Sequence, residues 1–360
     1  MKKIILISML FAITLIFIST CCEKSTSPSN DTDYIGWIVG SPGIGTKYGL
    51  IWKTTDSGEN WIRQGDSLTI PLIDLNAVKA IDSLTAWVVG GVSDGYATIL
   101  KTIDGGDTWQ RMGSNSKGEL DSIGLSGLCV VDDNTIWVSG ASDHGVVLVS
   151  EDSGNTWDSK VDTSFANYNI CTIEIKDQHI WACGNGLHNE GGVILHSTDE
   201  GETWQKLAQS SFLDARGMID LSAPSDSCVW VVGHGRTIIK TNDYGATWSI
   251  QDAEINPAWD ANGVTAVNNK IAWVAEDTGV VKKTVDGGQT WIQQTNVPVD
   301  AHGFYLYRIS PIHEKIAWIV GPGVLDGIIL YTSNGGEQWT EQDYTPDEML
   351  NDVSFVGSPH

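Results

Sequence analysis

The chain has 360 residues, 41% of them apolar and only 18% charged, so it carries ample material for a buried core. Asp and Glu outnumber Lys and Arg 45 to 21, a formal net charge of −24. Such a surface repels nucleic-acid phosphates and anionic headgroups and favours cations or basic partners, so no nucleic-acid partner is expected.

Lys2 and Lys3 precede an apolar run over residues 4–18, interrupted only by Ser8 and Thr14. This is the charged and apolar pattern of an export signal, too short for a comfortable membrane span. The run ends in Ile18-Ser19-Thr20-Cys21-Cys22, which resembles a bacterial lipoprotein signal, in which the cysteine after the cleavage site is acylated. Residues 1–20 are therefore expected to be a leader and Cys21 the lipidation site. That places the mature protein in the bacterial cell envelope, anchored to a membrane but not crossing it. Residues 21–33 are dominated by Ser, Thr, Pro, Asn and Asp without apolar periodicity, and read as a flexible tether reaching roughly 20 Å.

From Tyr34 onward one pattern organises the chain. Ser/Thr-x-Asp-x-Gly-x-x-Trp recurs seven times, ending at Trp61, Trp109, Trp157, Trp204, Trp248, Trp291 and Trp339, spaced 43 to 48 residues apart. Its third place holds Asp56, Asp104, Asp152, Asp199, Asp243 and Asp286, and Asn334 in the last copy. A second set, Trp37, Trp87, Trp137, Trp181, Trp230, Trp273 and Trp318, alternates with the first. Around each pair lie short runs rich in Val, Ile, Thr and Trp bounded by Gly, Asp, Asn or Ser, as strands require. In the clearest unit they cover residues 75–79, 85–90, 98–102 and 108–112. Four antiparallel strands in every repeat of this length predict an all-β, seven-bladed propeller over residues 34–360. The first unit begins at Gly36-Trp37 without an opening strand, whereas the tail Leu350-Asn351-Asp352-Val353 matches the opening run Leu75-Asn76-Ala77-Val78. The C-terminal strand is thus expected to complete the N-terminal blade, three strands plus one, and hide two open edges.

Within each box the Asp is expected to accept backbone N–H groups in the turn between third and fourth strands. The Gly supplies positive φ or close approach, and the Trp pins the turn to the sheet. One Asp per box is far below the six to eight oxygens of a calcium site, so no metal is assigned to the boxes. The box resembles the Asp-box, or BNR, repeat of bacterial sialidases and related propellers. The fuller unit over residues 75–109, with its Leu-x-x-Val, Ala-Trp-Val-Val-Gly and Leu-Lys-Thr-x-Asp-Gly-Gly-x-Thr-Trp segments, is most similar to the photosystem II stability/assembly factor-like repeat. That resemblance covers residues 36–356.

Candidate binding residues lie in the loops opposite the boxes: His144, His188 and His234 in equivalent loops of three consecutive blades, Trp259, Glu276 and Asp277, and the arginines Arg216, Arg236 and Arg308. The histidines invite a metal-site reading, but they lack companions at ligand spacing, and no metal or cofactor is assigned. The sialidase resemblance would imply a tyrosine nucleophile, a glutamate partner and three arginines gripping a carboxylate. Arg63 and Arg111, however, fall on outer strands, and the Arg-Ile-Pro motif of that family is lacking. The assembly-factor resemblance implies that arginines near the central channel hold a partner polypeptide, and only Arg216 and Arg308 match by position. An Arg308–Asp352 ion pair closing the ring is the competing structural reading. Cys129, Cys171, Cys183 and Cys228 fall in strand-like runs, where a Cys171–Cys183 cross-strand disulfide competes with buried free thiols.

The sequence thus leads to a non-enzymatic, single-copy binding scaffold that presents one loop face to a protein partner or a glycan. The alternative is a sialidase-like or other carbohydrate-active glycoside hydrolase.

Overall fold

The computed structural model describes residues 33–43, 46–66, 68–116, 118–187, 191–207, 216–251, 258–298, 305–322, 327–343 and 348–357. They form seven four-stranded antiparallel sheets arranged as the blades of a ring, with only two short 3-10 turns. The second blade, from channel to rim, consists of Leu75–Ala80, Ala86–Ser93, Tyr96–Thr102 and Gln110–Arg111. Its fourth strand is shorter than the sequence suggests, because Thr108 and Trp109 belong to the box turn rather than to the ladder. The first blade is closed as expected: Met349–Gly357 pairs antiparallel with Tyr34–Ser41, joining the two ends of the ring.

The boxes share one geometry. In the second blade, Thr108 N donates to Asp104 Oδ1 (2.9 Å) and Thr108 Oγ1 to Oδ2 (2.6 Å), while Gly106 N donates to Thr102 Oγ1 (2.8 Å). The backbone bond to the third-place residue spans 2.8–3.0 Å in all seven boxes. Asn334 keeps this bond through its amide oxygen, which explains why the substitution is tolerated. The Thr108 hydroxyl and N–H bonds hold the Asp104 carboxyl down at about 2, and the same pattern from Thr290 does so for Asp286.

Each box is also the joint to the preceding blade. A Cβ placed on Gly154 would lie 2.6 Å from the Trp87 ring, and one on Gly201, Gly245, Gly288 or Gly336 would crowd Trp137, Trp181, Trp230 or Trp273. At the ring closure, Trp318 Nε1 and Gln342 Nε2 both donate to the Ser57 carbonyl (3.2 and 2.8 Å). On three of these tryptophans, and on Trp37 of the first blade, a lysine of the same blade lies over the ring: Lys101 on Trp87, Lys240 on Trp230, Lys283 on Trp273 and Lys53 on Trp37, at 4.0–4.8 Å. Three of the lysines then reach the next box, with Lys53 Nζ donating to Gly105 O, Lys240 Nζ to Gly287 O and Lys283 Nζ to Gly335 O at 2.7–3.1 Å. Burying one indole is worth roughly 4–6 kcal/mol by area, against about 0.5–2 kcal/mol for a cation over it, so ring burial dominates the joint. In the fourth blade His196 replaces the lysine, stacked 3.9 Å above Trp181 and bonded to His179 (2.8 Å). Burial, followed by the neighbouring His179, lowers the His196 pKa to about 4.

Two glycines with nearly equal φ separate backbone strain from packing. Gly95 (φ +87) has nothing within 4 Å of a built Cβ, whereas Gly154 (φ +85) meets Trp87. Gly95→Ala is expected to cost about 1–2 kcal/mol, the left-handed penalty alone. Gly154→Ala is expected to cost at least twice as much, with urea denaturation of the two variants as the measurement.

Candidate functional site

Antiparallel alternation puts the boxes on one face of the disc and the hairpins between second and third strands on the other, here called the open face. The inner strands carry a local irregularity near their open-face ends, with register shifts at Leu75/Ala77, Leu125/Gly127, Ile170/Thr172, Met218/Asp220 and Ala261/Gly263. The extra residue at each bulge leaves the ladder and turns toward the axis. Asn76, Ser126, Cys171, Ile219 and Asn262 thereby line a funnel of about 570 Å³, joined by Asn351, which is skipped at the Val39/Gly40 shift, and by Tyr307, one residue before its blade's first strand; Asp74, Asn185, His234 and Asp260 also touch it. Deeper along the axis lies a second cavity of about 370 Å³, lined by Lys79, Glu174, Asp220 and Asp352 among others. Arg308 lines both and divides them.

Arg308 does not make the ion pair that the sequence suggests. Its Nη1 lies 3.7 Å from Asp220, two blades away, and also takes the Asn262 carbonyl as acceptor. The intervening blade has Gly263 at the matching place, so no side chain blocks the reach. Asp352 instead accepts from Val78 N (2.8 Å) and acts on Arg308 only through its charge. Burial works against the Arg308 cation, but Asp220 and then Asp352 outweigh it and raise the arginine's pKa. Burial pushes Asp352 up to about 6 and Glu174 up to about 7, against Arg308 and the Val78 N–H in one case and the Ala223 N–H in the other. Both residues keep some accessible area, but it opens into the channel, and their carboxyls are enclosed by its walls.

The other candidates are scattered. Glu276 is no loop residue: it ends the strand Ala272–Glu276, fully buried, and pairs with Arg236 Nε (3.1 Å) and Lys282 Nζ (3.0 Å). Asp277 is buried too, accepting from Asn262 Nδ2 (2.8 Å) and Asp260 N (2.9 Å). Sequence reading placed both in a loop of the face opposite the boxes. Ion pairing and the left-handed Thr278 fold that segment inward. Arg216 donates to Thr237 Oγ1 (3.2 Å), and His234 Nδ1 meets Asp260 (2.7 Å) beside half-buried Trp259. His144 pairs with Asp143 at its own hairpin tip (2.5 Å). His188 and Cys21 lie outside the described residues. Among the described residues no three His, Cys, Asp or Glu side chains gather as a metal site. The arginines do not converge: of the three, only Arg308 lines the funnel. Cys129, Cys171, Cys183 and Cys228 are free thiols. Cys171 sits at the bulge facing the funnel while Cys183 pairs with Thr172, which separates the two sulfurs. Burial raises the Cys171 thiol to about 11, so it is not a ready nucleophile. The funnel ring itself escaped sequence reading, since bulges leave no composition signal. The only trace was the aligned run of Asn76, Asn262 and Asn351 one place after the first apolar residue.

No protein-family model matches the chain. The photosystem II assembly lipoprotein Ycf48 of Synechococcus sp. (strain CC9902) is 25% identical over 125 residues, 34% of this chain and 35% of that protein. The aligned stretch therefore spans about a third of that relative. A solved structure described as YCF48 bound to D1 peptide superposes with a TM-score of 0.59 at 17% identity, covering 92% of this chain and 91% of that one. This chain is a seven-bladed propeller that resembles Ycf48. The GH74 xyloglucanase of Xanthomonas campestris also shares the fold, with a TM-score of 0.61 at 14% identity over 91% of this chain but 53% of the enzyme.

The raised carboxyls of the channel have a defined pH signature. A raised acid favours the fold in its protonated form, so its contribution is complete below the ordinary carboxylate range and is lost as pH climbs through about 6 for Asp352 and about 7 for Glu174. Glu174→Gln, which can still accept the Ala223 N–H, is expected to raise the urea midpoint over that of the parent chain near pH 8. Near pH 5 it is expected to change the midpoint little.

Proposed function

We propose that this protein is an exported, lipid-anchored, non-enzymatic scaffold that holds a protein partner on the open face of its propeller. The observation that carries the reading is the funnel on that face. The ring of bulge residues gives a rigid concavity whose walls are set by seven inner strands, of a volume suited to one inserted side chain or a short segment. The likeness to Ycf48, one structure of which is described with a bound D1 peptide, supports a polypeptide rather than a glycan as partner. The boxes then act as Asp-box repeats in the structural sense, holding the blades and leaving the open face for recognition. Lys2, Lys3, the apolar run and Cys21 support export and acylation, with the domain held off a membrane of the bacterial cell envelope by the tether.

A glycoside hydrolase is the second reading, favoured by the xyloglucanase-like fold and by channel carboxyls raised toward neutrality. Against it, this chain spans only about half of that enzyme, and Asp220 and Asp352 flank Arg308 inside a narrow channel rather than an open cleft.

The two readings separate by position-specific crosslinking. A photo-crosslinking residue in place of Asp94 or His144, at open-face hairpin tips, is expected to give discrete protein adducts in the native envelope. The same residue at Asp107 or Asn155, in the boxes, is expected to give none. Adducts from neither face, together with release of sugar from a xyloglucan and sialoside panel, would favour the hydrolase.

A further inference from the structure

The funnel's polar groups share a polarity. Asn76 Nδ2 donates to the Leu125 carbonyl (2.7 Å), Asn351 Nδ2 to the Leu75 carbonyl (3.0 Å), and Asn262 Nδ2 to the Leu306 carbonyl and Asp277 (3.1 and 2.8 Å). Each amide thus uses its donor to tie its own blade to a neighbour or to a buried carboxylate. No described donor meets their Oδ1 atoms, even in Asn262, which is only 9% exposed, and the buried Asn185 Oδ1 likewise has no partner among the described residues. The inter-blade seam therefore orients the wall so that acceptors face the axis.

Charge adds to this. Asp74 and Asp260 occupy matching places, one residue before the first strand of the second and sixth blades, and both line the funnel. Asp260 is engaged by His234 and by Gly235 N (3.0 Å), whereas the exposed Asp74 carboxylate meets no described donor. Arg308, the one strong cation among the described residues lining the funnel, is already held by Asp220 and by the charge of Asp352. Among the described residues lining the two cavities, five carboxyls, Asp74, Glu174, Asp220, Asp260 and Asp352, face two strong cations, Lys79 and Arg308. Burial raises Asp352 and Glu174, and the opposing charges of Arg308 on the first and Lys79 on the second do not offset it. Tyr307 on the same wall supplies an aromatic surface for a cation to lie against.

We propose that the funnel receives a lysine or arginine side chain of the protein partner, its N–H groups donating to the Asn76, Asn262 and Asn351 amide oxygens and its charge facing Asp74. This inference rests on the protein-binding reading above and gives it a chemistry: the recognised segment is basic, in keeping with the chain's net charge of −24. A guanidinium or ammonium brings three to five donors and no acceptor, which is the complement of an acceptor-lined wall.

The test is calorimetric titration of the full chain with capped Gly-Ser peptides that differ only in one central residue: Lys, Arg, Gln or Glu. The Lys and Arg peptides are expected to bind saturably, at least about ten-fold more tightly than the Gln and Glu ones, and to weaken with salt. Asp74→Asn is expected to weaken the Lys peptide about three- to five-fold, in the range of a partly exposed ion pair. Asp107→Asn on the box face, with the same change in net charge, is expected to leave it unaltered. Equal binding of all four peptides, preference for the Glu peptide, or equal effects of the two Asp substitutions would overturn the proposal. If open-face crosslinks form while the peptides show no charge preference, the funnel assignment fails and the scaffold reading stands. If the peptides behave as expected while no open-face adduct forms, the funnel assignment stands and the scaffold reading fails.

Discussion

The stack at five of the seven blade boundaries, in which the box glycine of one blade lies against the indole of the blade before it, is the contact on which the ring depends. Everything else in the box serves it. The Asp or Asn bonds fix the turn, the left-handed residue and glycine bring the backbone close, and the lysine above the indole ties to the next box. Because an indole buries far more area than any hydrogen bond in the joint contributes, the acids of the boxes shape the contact more than they strengthen it. That division explains why Asn334, with one carboxylate oxygen fewer, serves the seventh blade.

The same joints set the form of the axis. With blades pinned at the outer half by indoles, the inner strands must fit around a narrow channel, and their bulges supply the extra twist and turn one side chain each inward. Recognition chemistry then depends on which residue occupies each bulge. In four blades that residue is an Asn or Ser with a hydrogen bond across a blade boundary, so seam and site are made by the same side chains. A substitution there would alter both, whereas Asp74, outside the ladder, is free to vary for recognition alone.

Much of the architecture was legible in the sequence because the pattern is repeated: seven boxes and seven partner tryptophans give blade number, strand order and closure. The site was less legible for a physical reason. Side-chain direction at the axis depends on bulges, which shift the two-residue period locally and are invisible in composition. Arg308 and Asp220 could be seen to share a register, yet their pairing across two blades depends on the missing side chain of Gly263, a three-dimensional circumstance. Glu276 was assigned to a loop, whereas it ends a strand, fully buried and paired with Arg236 and Lys282. Cys171 and Cys183 flank their turn almost symmetrically, but the bulge pairs Cys183 with Thr172 and leaves Cys171 lining the funnel while Cys183 is buried in the core.

The closing strand Met349–Gly357 carries a consequence for biogenesis. Its partner, Tyr34–Ser41, is made first and must wait for nearly the whole domain to be synthesised before its ladder can form. Until then the nascent chain carries an unpaired edge at Tyr34–Ser41 and an unstacked Trp318 whose acceptor, the Ser57 carbonyl, lies in that same first blade. The ring therefore cannot close until its last strand has been made, although the other six blades are each built from consecutive strands. Closure is thus a late, long-range step, since it pairs the two ends of the domain.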